Sequence, residues 1–170
     1  MSAPLKNVAV RYNNGIGNYP VSMIIDFYED EEVNIKDLYN TIKVNEYIKD
    51  IIFRENTTVN EETLSWVTPK LISEGYFVSI YSDTLPYTSY NRLVTTITHP
   101  NLIRKNIKFL QALTDRDLII LDVDSLDYII FCRKLLLKSQ IKTKVMFNSY
   151  KVDSNKVIDA NIYDILPIGL

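Results

Sequence analysis

Side chains able to attack, transfer protons or bind metals are scarce in this sequence: it has one cysteine, Cys132, and one histidine, His99, among 170 residues. A lone thiol closes no intrachain disulfide and builds no thiolate cage, so cysteine-held zinc and iron–sulfur centres are beyond this chain. Cys132 stands among Ile129, Ile130, Phe131 and Leu135 and reads as a small buried hydrophobe on a helix. His99 could act as a base oriented by Asp83 or Asp122, but a single histidine before Pro100 is more simply a turn residue. Asp122 and Asp124 follow an apolar run, at the strand end where α/β proteins place magnesium ligands. The plainer reading gives one of them to capping the next helix and the other to solvent. Gly15-Ile16-Gly17 lacks the third glycine and following helix of a dinucleotide fingerprint, and no Gly-Lys-Ser or Gly-Lys-Thr phosphate loop occurs. The chain is therefore expected to carry no catalytic residue, no metal and no cofactor. The alternative is an enzyme working through Asp83, Asp122 and Asp124, with or without magnesium, on a nucleotide-like ligand.

Charge offers a different kind of site. The net charge of −2 lacks the basic excess of a nucleic-acid binder, so no direct nucleic-acid contact is expected. The balance is uneven: residues 1–85 carry 13 acidic and 7 basic side chains, and residues 86–170 carry 8 and 12. The densest feature is Asp26-Phe27-Tyr28-Glu29-Asp30-Glu31-Glu32, with no cation before Lys36. A solvated loop is the plain reading of such a run. The functional one is an acidic contact surface, with carboxylates and rings standing where phosphates and bases would meet a basic partner. Tyrosine buries area at little entropic cost, and Tyr28 beside the run, with Tyr87 and Tyr90 in the loop after Tyr81, are candidate partners to it.

These residues need elements to hold them. Asn7–Tyr12 and Val21–Tyr28 are β-branched or aromatic runs separated by a turn-rich segment. Asn34 caps a helix whose Ile35, Leu38, Tyr39 and Ile42 share a face, and a short helical stretch is expected over 45–49 before a strand at Ile51–Arg54. Asn60 starts the next helix, which Pro69 must kink or interrupt and Gly75 stops. Further strands are expected at Tyr76–Tyr81, Leu93–Thr98, Asp117–Val123 and Thr143–Asn148. Helices are expected near Arg104–Leu113 and at Ser125–Lys138, with a short one around Asn155–Tyr163 and an apolar end, 165–168, that docks or binds. Strands such as Leu118-Ile119-Ile120-Leu121 that are apolar throughout belong in a sheet covered on both faces. The expected fold is α/β, a mostly parallel sheet with alternating helices forming a partial (β/α) barrel, as a single domain over 1–170.

The order of motifs resembles radical S-adenosylmethionine enzymes of the 7-carboxy-7-deazaguanine synthase type. Gly15-Ile16-Gly17 and Pro20-Val21-Ser22-Met23-Ile24 are similar to that family's opening turn and second strand. Ile51-Ile52-Phe53-Arg54-Glu55-Asn56 looks like its strand ending in Gly-Gly-Glu-Pro. Gly75-Tyr76-Phe77-Val78-Ser79-Ile80 with Ser82-Asp83-Thr84 resembles the following strand and loop, and His99-Pro100 stands where a Ser-Pro pair closes the next. The likeness spans residues 7–150. It fails where the chemistry resides: the family's three-cysteine loop is replaced by Glu29-Asp30-Glu31-Glu32-Val33-Asn34, and a [4Fe–4S] cluster needs those thiolates. Arg54-Glu55-Asn56 likewise puts side chains where glycines allow close approach. The resemblance therefore implies a scaffold stripped of catalysis, or a regulatory paralogue that pairs with an intact radical enzyme.

The function expected from these readings is a non-catalytic protein-binding inhibitor with a DNA-mimicking acidic surface formed by Asp26, Tyr28, Glu29, Asp30, Glu31, Glu32, Tyr87 and Tyr90. Ile, Asn, Lys and Tyr, all with AT-rich codons, fill more than a third of the chain, which fits a low-GC bacterium or its phage. A phage protein that blocks a host replication protein is the matching role. A DNA sliding clamp, whose channel is lined with basic groups, is the partner of best-fitting chemistry, although Gln111-Ala112-Leu113 and Gln140-Ile141-Lys142 complete no short clamp-binding peptide. No apolar run suits a membrane or a signal peptide, so a cytoplasmic protein, in the host cytoplasm if phage-encoded, is expected. The opposite charges of the halves leave homodimer formation open.

Overall fold

In a computed structural model of the chain, residues 8–14, 19–28, 33–55, 57 and 60–169 are described, and the structural statements below concern these. The chain is a mixed α/β protein of mostly parallel strands alternating with helices. Its contacts divide it into two compact units, residues 1–92 and 93–170.

In the first unit, β1 (Val8–Asn14) runs antiparallel to β2 (Val21–Phe27), and β2, β3 (Asp50–Phe53) and β4 (Phe77–Tyr81) follow in parallel order. Register separates the two faces of these strands, because side chains alternate. Met23, Ile25, Phe27, Ile51, Phe53, Val78 and Ile80 share one face, and they form a single buried cluster with Leu38 and Ile42 of α1 (Ile35–Val44) and Leu64, Val67 and Leu71 of α2 (Glu61–Ser73). The Phe27 and Phe53 rings stack at 5.8 Å inside it.

The helix ends show which local signals acted. Asn34 caps α1 as its spacing predicts, its Oδ1 accepting the Asp37 N–H at 3.0 Å. Asn60 precedes α2 but makes no capping hydrogen bond through its side chain. Of the two outcomes expected at Pro69, interruption does not occur: α2 runs on through it. The bond lost there would have gone to the carbonyl of Ser65, and both residues lie on the exposed side, where water can serve that carbonyl. Gly75 does end the segment, at φ +89°, a left-handed conformation natural to glycine. The expected helix over 45–49 is a turn closed by Ile48 N–H to Asn45 O at 3.1 Å. Asn45 leaves the helical region and gives its side chain to the Tyr12 hydroxyl.

The second unit opens with β5 (Arg92–Ile97), which begins at the boundary, and continues through β6 (Leu118–Leu121), β7 (Lys144–Asn148) and β8 (Leu166–Ile168), each parallel to its neighbour. The single helix expected near Arg104–Leu113 is two, α3 (Asn101–Lys105) and α4 (Ile107–Ala112), broken at Asn106, whose backbone leaves the helical region. Helix α5 (Leu126–Lys138) is capped by Ser125, whose Oγ accepts the Tyr128 N–H at 3.2 Å. Helix α6 (Ser154–Asp159) is shorter than expected because Asn161 turns left-handed at φ +61°. The apolar tail docks as β8 beside β7. Among the described residues no helix is long and apolar enough to cross a membrane.

Candidate functional site: the carboxyl ends of the first unit's strands

Parallel strands bring the segments that follow their carboxyl ends to one sheet edge, where α/β proteins usually bind ligands. In the first unit these segments start at Tyr28 after β2, Arg54 after β3 and Ser82 after β4. Glu29, Asp30, Glu31 and Glu32 lie outside the described residues. The chain leaves β2 at Tyr28, which is 51% exposed, and is buried again at Val33 just before the α1 cap.

Asp26 departs from its expected role. Rather than extending an open acidic surface, it sits between two cations, with Arg54 Nε at 3.3 Å and Arg11 Nε at 3.7 Å. Arg54 also reaches Glu55, its Nη2 lying 3.1 Å from Oε1. The reason is register. Arg11 lies opposite Ile24, one pleat from Asp26 on the same face, and Arg54 extends β3 alongside β2 through its N–H to the Ile25 carbonyl at 2.9 Å. The same register places Tyr81 beside Arg54. The last layer of this face is thus Asp26, Arg54 and Tyr81, all polar. Tyr81's hydroxyl is buried and has no hydrogen-bond partner among the described residues. Burial raises its pKa above the ordinary phenol value, against the pull of Arg54 and Arg11. Deeper on the same face Ser22 and Asp50, both fully buried, are hydrogen-bonded to each other.

The two loop tyrosines differ. Tyr87 is 95% exposed, while Tyr90 is half-buried against the first unit's core. The loop carrying them is fastened to α2 and β4: the Tyr87 N–H donates to Glu61 Oε1 at 3.2 Å, the Thr88 hydroxyl to the Leu64 carbonyl at 3.3 Å, and Asn91 exchanges two 2.8 Å bonds with Val78. Between loop and helix lies a cavity of about 130 Å³ lined by Thr57, Glu61, Leu64, Ile80, Tyr87 and Thr88, among others.

The alternative catalytic carboxylates are placed otherwise. Asp122 accepts from Asn148 Nδ2 at 2.9 Å and pairs with Lys151 Nζ at 3.1 Å, Asp124 is exposed, and neither caps α5 because Ser125 does. Asp83 is exposed in the other unit. His99 is a turn residue, its Nδ1 accepting the Asn101 N–H at 3.1 Å and its ring edge-on to Tyr128. Cys132 is fully buried, and burial pushes its thiol up to about 11. Among the described residues no three His, Cys, Asp or Glu side chains gather as a metal site.

The sequence reading missed the Arg11–Asp26–Arg54–Tyr81 cluster. The signal was present: Ser22, Ile24 and Asp26 alternate onto one face, and the strand ends at Asp26, Arg54 and Tyr81 are polar in three successive strands. In comparisons with known proteins, no family model matches the chain, and neither a curated protein nor a solved structure matches it.

Proposed function

We propose that the chain is a non-catalytic protein-binding module that occupies the basic, DNA-contacting surface of a replication protein. The observation that carries this reading is topological. Exposed Tyr28 follows β2, and exposed Glu55, Asp83 and Tyr87 follow β3 and β4, so these carboxylates and rings belong to the carboxyl edge of one parallel set of strands, and the carboxylates at 29–32 come next after Tyr28 in the sequence. Carboxylates interspersed with exposed rings supply the charge and the flat apolar area that a phosphate- and base-binding surface recognises. Arg11 and Arg54 neutralise Asp26, so the interface reading rests on Tyr28, Glu29, Asp30, Glu31, Glu32 and Tyr87 rather than on Asp26 or the half-buried Tyr90. A sliding clamp is the partner class whose basic channel suits such a surface, and an inhibitor of phage origin is the corresponding role. The degenerate radical-enzyme scaffold belongs to the same proposal.

The test is affinity for a purified replication clamp at low and high salt, with Glu29, Asp30, Glu31 and Glu32 reversed to lysine. Binding that weakens several-fold between about 50 and 300 mM salt and disappears in the reversed variant supports the reading. Salt-insensitive binding that survives reversal overturns it, as does the absence of any binding by the folded wild type.

A further inference from the structure

Two stretches of the second unit contain no acidic residue, 93–114 and 128–152, and they supply α3, α4 and most of α5. These helices adjoin along one seam. The His99 ring meets Tyr128 edge-on at 5.2 Å, Arg104 lies over the Phe131 ring at 6.0 Å, and Gln111 Nε2 donates to the Ser139 carbonyl at 3.3 Å. Arg104, Lys105 and Lys108 are exposed on one side of the seam. Lys134 and Lys138 are exposed on the other, spaced along α5 so that they share the face of Phe131. None of these cations has an ion pair among the described residues, and Asp127 is the only acidic residue of the three helices. Tyr128 and Phe131 are 38% and 43% exposed, so rings and cations share this surface. The first unit carries the opposite combination. No cation occurs between Arg54 and Lys70 or between Lys70 and Arg92, the stretches that supply the start of α2 and the loop after β4. There Glu61 accepts the Tyr87 N–H, Glu62 and Asp83 are exposed, and Leu85 and Tyr87 are 52% and 95% exposed.

We propose that the α3–α5 face of one copy of the chain docks on the acidic surface of α2 and the 82–88 loop of a second copy. Each copy carries both surfaces, so a two-fold dimer satisfies the pair twice. Charge selects this occupant. A nucleic acid would meet the same cations, but also the rest of a chain whose net charge is −2 and whose first unit has 13 acidic against 8 basic residues. A second copy turns that acidic excess into attraction. Exposed rings on both sides add the apolar area that charge alone does not provide. The proposal does not rest on the replication-protein reading, because no other protein takes part in its test.

The experiment is sedimentation equilibrium of the full chain over a concentration series. At about 50 mM salt a dimer with a dissociation constant in the micromolar range is expected, and at about 500 mM a monomer, because salt then screens the attraction. A variant with Lys134→Glu and Lys138→Glu, and another with Glu62→Lys and Asp83→Lys, should each weaken the dimer about tenfold or more at low salt. An equimolar mixture of the two should dimerise again, since one interface of the mixed pair is wild type and the other has its charges exchanged. All four positions are exposed, and the wild-type salt series decides the matter even if a variant fails to fold. The proposal is overturned by a monomer at every concentration in low salt, by a dimer that persists at high salt or in both variants, or by a mixture that stays monomeric. A mass that grows past the dimer overturns it too, as does a wild type that stays monomeric while binding a single-stranded oligonucleotide, which would assign the face to nucleic acid.

Discussion

The two units use similar strand-and-helix patterns for different ends. In the first unit, the sheet face turned away from α1 and α2 carries Arg11, Ser22, Asp26, Asp50, Arg54, Ser79 and Tyr81. In the second, the central strand β6 is Leu118-Ile119-Ile120-Leu121, buried on both faces; Asp117 before β6, Asp122 after it and Asn148 at the end of β7 lie at strand ends, and Thr95 is a buried polar residue within β5. The charge differs too, with 13 acidic and 8 basic residues in the first unit and 8 and 11 in the second. Polar groups inside a sheet face must be matched to one another and cost stability when they are not, whereas polar groups at strand ends can bind free backbone. The first unit accepts that cost, which is why its strand ends, rather than those of the second, hold the candidate site.

The strongest blow to the first unit should come through its helix-covered face. Phe53→Ala removes a fully buried ring stacked on Phe27 and is expected to cost about 3–5 kcal/mol, measured as a fall in the urea midpoint with an unchanged slope. A loss below about 1 kcal/mol would mean that this cluster is not the organising core of the unit.

Buried carboxylates sharpen the contrast. Asp117 is nearly fully buried, yet its oxygens accept the Leu93 N–H at 2.9 Å and the Thr114 N–H at 2.8 Å, so it serves as a brace for two backbone segments. Asp117→Ala should cost about 1.5–3 kcal/mol, the range for hydrogen bonds to a charged group. Asp50 in the first unit is bonded by a side chain, the Ser22 hydroxyl. Ser22→Ala is expected to cost roughly 1–3 kcal/mol by leaving a buried acceptor short of a donor. Replacing Ser22 and Asp50 together with apolar residues of similar volume should recover part of that loss, because both ends of the bond disappear at once. Asp117 has no such rescue, since the N–H groups it serves belong to the main chain. Thermal or urea unfolding of the single and double variants distinguishes the two cases, and recovery in both units or in neither would erase the distinction.

These examples also show what sequence could and could not reveal. Alternation and caps located most strands and helices, because Asn34 and Gly75 act on neighbours within a turn, although the α5 cap expected from Asp122 or Asp124 is Ser125. Asn60 and Pro69 act in ways that depend on their surroundings: Asn60 starts α2 without a side-chain capping bond, and the helix continues through Pro69 on an exposed face. The Arg11–Asp26–Arg54–Tyr81 layer was invisible for a different reason. Its members are spread over 71 residue numbers, from 11 to 81, and meet only when the strands align. The acidic run could be read at once because it is contiguous, yet its first carboxylate, Asp26, proved to be ion-paired from two other strand segments.

The smallest effect is carried by the surface latches, and it too separates the units. In the first, the Glu74 carboxylate takes Lys43 Nζ at 2.6 Å and the Tyr39 hydroxyl, tying the end of α2 to α1. The hydrogen bonds from Lys43 and then Tyr39 hold Glu74 below the ordinary carboxylate pKa, and the bond to Glu74 holds the pKa values of both Tyr39 and Lys43 above theirs. A lowered carboxylate pKa stabilises the fold above the unfolded-state value and ceases to do so as pH falls through the folded-state value. The raised Lys43 and Tyr39 values stabilise it below their unfolded-state values near 10, an effect lost as pH rises through the folded-state ones. The latch should therefore act from about pH 5 to about pH 9 and fade at both ends. The second unit's counterpart, Arg133 Nε to Asp164 at 2.9 and 3.1 Å, is an exposed pair, and Asp164→Asn should change stability by no more than about 0.5 kcal/mol. Glu74→Gln should lower the melting temperature at pH 7, and its difference from the wild type should shrink as pH falls through the lowered folded-state value of the Glu74 carboxyl. A Glu74→Gln effect that does not diminish as the pH is lowered would show that the side chain acts through packing rather than charge.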